Sequence, residues 1–275
     1  MLKSVLILLL AMLSIQFAAS QAKQLFPVFG AAGTSALRLV FASIMLMIVF
    51  KPWQTKFNRS IMIYGGSLGL MNLAFYFALQ RIPLGIAVAL EFVGPLSVAI
   101  FSSRKKIDLV WAFLAAVGIV LLLPRETAVV QLDPVGMILA LLAGMFWAFY
   151  IIFGKRAGSS LKGGVATSAG MLVAAIIVLP VGLGLDGDKL MNVSAIPLAL
   201  MVAFFGSALP YSLEMVALKK LPSQTFGVLM SLEPAVAALM GLIFLSETLT
   251  LFQWAAVSCV IISSLGSTLT QSKDT

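Results

Sequence analysis

Histidine is absent from the sequence, and cysteine occurs once, at Cys259. The chain therefore lacks the commonest transition-metal ligand and the side chain best suited to relaying protons near neutral pH. One cysteine excludes an intramolecular disulfide, and its place in an apolar run argues against a thiolate metal site. Charge is scarce too, with Asp, Glu, Lys and Arg making up 10% of the 275 residues. No GxxxxGK[ST] loop is present to cradle a phosphate, so the chain carries no ATPase of its own. Without histidine, paired aspartates or an HExxH pattern, it also lacks the nucleophile, base or metal set that an intramembrane enzyme needs. The expectation is no metal, no cofactor and no catalytic residue.

Apolar residues are abundant: 61% of the chain, with a mean hydropathy of +1.10. Apolar runs recur from end to end at about 20 residues, the length that crosses a hydrocarbon core of ~30 Å. Strands of a barrel would alternate polar and apolar, which these runs do not. The sequence thus predicts an all-α polytopic membrane protein. A net charge of +8 would suggest nucleic acid in a soluble protein. Here the basic residues cluster in short loops, so the partner is the lipid bilayer and not nucleic acid.

Two readings are open for residues 1–20. Lys3, an apolar stretch and Ala18-Ala19-Ser20 resemble a signal peptide with a cleavage site. Retention as a first span is favoured, because Leu141–Phe153 is its internal counterpart and cannot be removed. Further spans are expected near Ala31–Phe50, Ile61–Leu79, Pro83–Phe101, Leu109–Leu123, Pro134–Phe153, Val165–Leu183, Ile196–Ala217, Pro222–Phe244 and Leu251–Leu269, about ten in all. Counted by alternate loops, thirteen Lys and Arg fall on one side and four (Lys23, Arg81, Arg125, Lys189) on the other. Positive charge stays cytoplasmic, which puts both termini in the cytoplasm.

The chain repeats itself. Pro83 and Pro222, like Pro95 and Pro234, are 139 positions apart, and Thr34-Ser35-Ala36 matches Thr167-Ser168-Ala169 at 133. Residues 1–126 and 133–275 read as two five-helix halves. An odd number of spans per half forces the second copy to insert upside down, the build of secondary transporters whose binding site lies near the midplane.

Ala217-Leu218, Pro222, Leu232-Glu233-Pro234, Glu247-Thr248-Leu249-Thr250 and Gln253 resemble the closing half of an EamA repeat in the drug/metabolite transporter superfamily. The blocks Pro83–Phe92, Phe101–Arg104 and Leu209–Met215 look closer to its bacterial exporters of threonine- and homoserine-like amino acids. One departure stands out: the first half has Arg104-Lys105-Lys106-Ile107-Asp108 where a typical repeat carries the acid seen at Glu247. The resemblance implies a ten-helix transporter in the bacterial inner membrane that exports small amino acids against an inward flow of protons.

Ionisable residues inside spans are functional by default. Here they are Arg38, Glu91, Glu214 and Glu233. Glu91 lies eight residues past Pro83, ~12 Å deep, and Glu233 eleven past Pro222, ~16 Å deep. Glu214 sits near the cytoplasmic end of its span and reads equally as an interfacial carboxylate. Arg38, at the depth of Glu91, either pairs with Glu91 or meets a substrate carboxylate through its planar fork. One arginine neutralises at most one of three acids, which leaves at least one to exchange protons; Glu233 is the first choice. Ser207, Tyr211 and Glu214 share a helical face, as do Asn72 and Tyr76, and Gln16 and Ser20. Together they outline a candidate substrate or proton pathway. Pro95, Pro210 and Pro234 are expected to kink their helices, and Pro210 to free the carbonyl of Gly206.

Overall fold

The computed structural model describes residues 2–55, 57–102, 106–122, 132–160, 163–220, 230 and 232–271. The second proline frame at Pro222 and the junction after Arg125 lie outside these residues. Among the described residues the regular structure is helical, with no strand: α1 Leu2–Phe50, α2 Arg59–Leu79, α3 Leu84–Glu91, α4 Val93–Ser102, α5 Ile107–Leu122, α6 Pro134–Ser160, α7 Gly163–Asp186, α8 Ile196–Ala203, α9 Leu209–Lys220, α10 Glu233–Leu245 and α11 Leu251–Gln271. Five helical stretches are long and apolar enough to cross a membrane: Leu6–Phe50, Arg59–Leu79, Pro134–Gly158, Gly164–Met191 and Val193–Glu214.

A straight α1 would be ~74 Å long at 1.5 Å per residue, more than two hydrocarbon thicknesses. It is not straight. Gly30 (φ 70°, ψ 169°) breaks it into two limbs, in a conformation that a residue with a Cβ avoids. Pro27 precedes the break with no amide hydrogen to give. The second limb is capped from outside, because the Gly33 amide donates to Asp186 Oδ2 of α7 at 3.1 Å. A side chain at Gly30 would occupy the space of that carboxylate. The first limb reaches the break near Phe29, past the Ser20 boundary expected for it. The stretch Gln21–Gln24 reads as a loop but stays helical, because Lys23 and Gln24 find partners on distant elements.

Those partners form a clamp. Lys23 Nζ donates to Glu247 Oε1 at 2.5 Å and to the Ile82 carbonyl at 3.2 Å. Glu247 Oε2 accepts the Leu84 amide at 2.7 Å, capping the N-terminus of α3. Gln24 Nε2 donates to the Phe244 carbonyl. Ser246, at φ 54°, ends α10 and turns Glu247 back so that its amide bonds the Gly241 carbonyl at 3.1 Å. Lys23 and Glu247 are mostly buried, so the pair is screened less than a surface one. A double-mutant cycle of Lys23→Met and Glu247→Gln, read by thermal melting in detergent, should give a coupling of about 1–2 kcal/mol. Additive losses would show that the pair is only incidental.

Arg81 and Asp133 meet at 2.7 Å on the surface. Hydrogen bonding from Arg81, with help from the Val135 amide, holds the Asp133 carboxyl below its usual range. The same carboxylate caps α6, accepting from Val135 N at 2.8 Å.

Small residues set the crossings. Gly65 and Gly69 of α2 face Gly170, Val173 and Ala174 of α7, and Gly85 of α3 faces Ala238 of α10. The tightest crossing joins Gly94 of α4 to Gly144 of α6. It lies where α3 gives way to α4 at Phe92. Pro95 has no amide hydrogen to return to the Glu91 carbonyl, and the glycines let α6 pass over that interruption.

Candidate functional site

Arg38 is 4% exposed and stands on the second limb of α1. It does not form the ion pair with Glu91 that equal depth suggested. Its Nε donates to Ser207 Oγ at 2.9 Å, Nη1 to the Tyr76 hydroxyl at 3.0 Å and Nη2 to the Gly206 carbonyl at 2.5 Å. The Tyr76 ring also lies under the guanidinium, 5.4 Å from centroid to Cζ. The backbone explains the third bond. Residues Phe204–Ala208 wind as a π-helical segment between α8 and α9, and Pro210 cannot donate to Gly206. The freed carbonyl turns to Arg38, and Gly206 lets the guanidinium and Ala18 of α1 approach its backbone. Every hydrogen-bond partner of this buried cation among the described residues is therefore neutral.

Glu91 closes α3, buried and within electrostatic reach of both Arg38 and Glu233. Glu233 opens α10, with Pro234 as the next residue. Pro234 stands at the second position of α10, which suits its fixed φ and missing donor. Gln16 on the first limb of α1 donates its Nε2 to Glu233 Oε1 at 3.2 Å. Gln16 Oε1 and Glu233 Oε2 are both buried with no donor. Atoms of this kind cost about 1–3 kcal/mol each if left so. Gln16 belongs to the face that carries Leu8 and Met12 against Met230 and Val236, the apolar seam between α1 and α10.

Asn72 Nδ2 bonds the Leu68 carbonyl of its own helix at 2.9 Å, and its side chain also interacts with the Tyr211 hydroxyl. Glu214 is partly exposed, and α9 runs on past it to Lys220. Tyr211 continues into an aromatic file: its ring lies 6.4 Å from Tyr150, which stacks on Tyr64 at 5.0 Å. Sequence reasoning missed Tyr64 and Tyr150. The available signal was that all four tyrosines of the chain lie inside spans, whereas membrane tyrosines usually collect at the interfaces. It singled out Glu247 only as a motif acid and missed its part in the clamp, and it missed the cap Asp186.

Apolar helices gathered around a buried guanidinium and buried carboxylates form the architecture of a membrane transporter. Comparison with known proteins agrees. Residues 134–269 match the EamA-like transporter family. The threonine/homoserine exporter RhtA of Escherichia coli K12 is 51% identical over 274 residues, covering 98% of this chain and 92% of the relative. Its Salmonella typhimurium LT2 counterpart is 51% identical over 270 residues, covering 97% and 91%. An uncharacterized inner membrane transporter of Escherichia coli K12, YedA, is 28% identical over 198 residues, covering 69% and 63%. A crystal structure with 16% identity covers 98% of this chain and 97% of its own at a TM-score of 0.65, which shows a shared fold. The chain belongs to the EamA-like transporter family, as its motifs suggested.

Proposed function

We propose that this protein exports small amino acids, threonine and homoserine among them, by proton antiport with alternating access. The observation that carries the proposal is a buried guanidinium with only neutral partners, in a chain half identical to named threonine/homoserine exporters. A buried charge without a counter-ion is costly, and a carboxylate that arrives with the cargo supplies one in bidentate geometry. Tyr76 and Ser207 hold the fork, while Tyr211 and Asn72 line the approach. Glu91, Glu214 and Glu233 have no cation within ion-pair distance among the described residues and are the proton carriers, Glu233 first.

Ten spans in two inverted halves fit the packing. Helices at matching positions of the two halves meet each other: the second limb of α1 on α7, α3 on α10 and α5 on α11. An axis relating inverted repeats brings counterparts together in this way. Of the four cations expected outside, the three that lie among the described residues, Lys23, Arg81 and Lys189, are each tied to an acid. The excess of Lys and Arg counted in the other loops supports a cytoplasmic placement for those loops and for both termini.

Efflux of labelled homoserine from proteoliposomes under an imposed pH gradient tests the proposal. Accumulation against the homoserine gradient, collapsing on addition of a protonophore, is the expected result. Flux that only ever equilibrates, untouched by the protonophore, would mark a channel and overturn antiport.

A further inference from the structure

The buried seam between α1 and α10 holds two oxygen atoms that no described residue serves. Gln16 uses its amide nitrogen on Glu233 Oε1, and that contact fixes both side chains. Gln16 Oε1 and Glu233 Oε2 remain, buried and without donors; the two residues are 4% and 3% exposed. The other buried unpartnered side-chain atoms among the described residues are the hydroxyls of Ser35, Ser43 and Ser168. A hydroxyl can rotate and carries its own proton. The Gln16 carbonyl oxygen cannot supply what it lacks, which is a donor, and neither can Glu233 Oε2 while the acid is ionised.

We infer that Gln16 and Glu233 form the subsite for the primary ammonium of the cargo, distinct from the anion subsite at Arg38. A protonated amine brings three N–H donors and one positive charge, and no acceptor. Two of the donors satisfy the two orphaned oxygens, and the charge meets the only formally anionic group of the pair. Glu91 lies within electrostatic reach of Arg38 and Glu233 alike. An amino acid carries both signs, and the interior presents a buried guanidinium and a buried carboxylate that do not pair with each other. A metal ion fits less well, since no group of three or more Asp, Glu, Cys or His side chains able to hold one occurs among the described residues. The assignment rests on the amino-acid export proposed above and adds which atoms select the amine. Glu233 holds the ammonium in the loaded state and is free for a proton once it leaves.

The test is equilibrium binding to the purified full chain in detergent with three probes: homoserine, its desamino analogue with hydrogen in place of the amine, and the amino alcohol that lacks the carboxylate. Gln16→Met keeps the length of the side chain and removes the amide. It should weaken homoserine and the amino alcohol by about tenfold or more, as expected for losing a hydrogen bond to a charged group, and leave the desamino acid unchanged. Glu233→Gln should give a larger loss with the same pattern. Unaltered melting temperatures identify variants whose loss is local. Wild-type homoserine affinity in both variants, or equal loss of all three probes, overturns the subsite while export stands. A wild-type protein that ignores homoserine but binds the amino alcohol through Gln16 overturns amino-acid export while the subsite stands.

Discussion

Replacing Arg38 with lysine is expected to reduce homoserine export by about a hundredfold or more, although the charge is kept. The guanidinium makes three divergent bonds, to Ser207, Tyr76 and the Gly206 carbonyl. An ammonium is a single point with three rotatable donors and cannot reproduce a planar fork. The most damaging loss is at Gly206. Its carbonyl has no helical donor because Pro210 stands one turn on, so without Nη2 it becomes a buried acceptor with no partner. Breaking a buried charged arrangement by altering one member costs about 3–5 kcal/mol. That is roughly a hundredfold to several thousandfold in any step that depends on it. Arg38→Met should do at least as much harm, since it also removes the charge that meets the cargo carboxylate. Initial rates in proteoliposomes, normalised to reconstituted protein, decide the matter. Export by R38K at even a third of the wild-type rate would reduce Arg38 to a tie between helices.

The sequence located this site better than it described it. Helical rise is fixed, so counting residues from span ends brought Arg38, Glu91 and Glu233 to similar depth, and all three are buried. Periodicity put Tyr211 with Ser207 and Tyr76 with Asn72; of these, Ser207 and Tyr76 bond the guanidinium. What depth cannot give is a partner. Arg38 takes neutral acceptors because a π-helical segment presents the Gly206 carbonyl and Ser207 together, and a single turn of altered winding leaves only the mark of Pro210 in the sequence. Gln16 and Glu233 are 217 positions apart, and Lys23 and Glu247 are 224 apart. Both contacts join the first limb of α1 to the far end of the chain, which no local pattern records. The same contacts explain the misplaced end of the first span. Three polar residues within four positions look like a loop until the acceptors of Lys23 and Gln24 on other elements are known.

Alanine at Gly94 or Gly144 should cost more stability than any other single methyl group added to a glycine of the α4–α6 contact. A Cβ at Gly144 would lie 2.5 Å from the Glu91 carbonyl oxygen, and one at Gly94 would run into the Gly144 backbone. Neither obstacle is the end of a flexible side chain, so the helices themselves must separate. Overpacking in a close-packed interior usually costs about 1–3 kcal/mol, and more when backbone must move. The expected result is a fall in melting temperature of several degrees for each variant and a poor yield of monodisperse protein in detergent. Gly158, in the same helix α6, is the control: nothing lies within 4 Å of its added Cβ. Gly158→Ala should be neutral or stabilising by up to ~1 kcal/mol, because alanine is the better helix former. The two crossing glycines also hold α6 over the break at Glu91, so whatever G144A is recovered should export more slowly than its folded fraction accounts for. A G144A protein that melts and transports like the wild type would mean that α6 does not pass over the Glu91 carbonyl. The break between α3 and α4 would then be held by Pro95 alone.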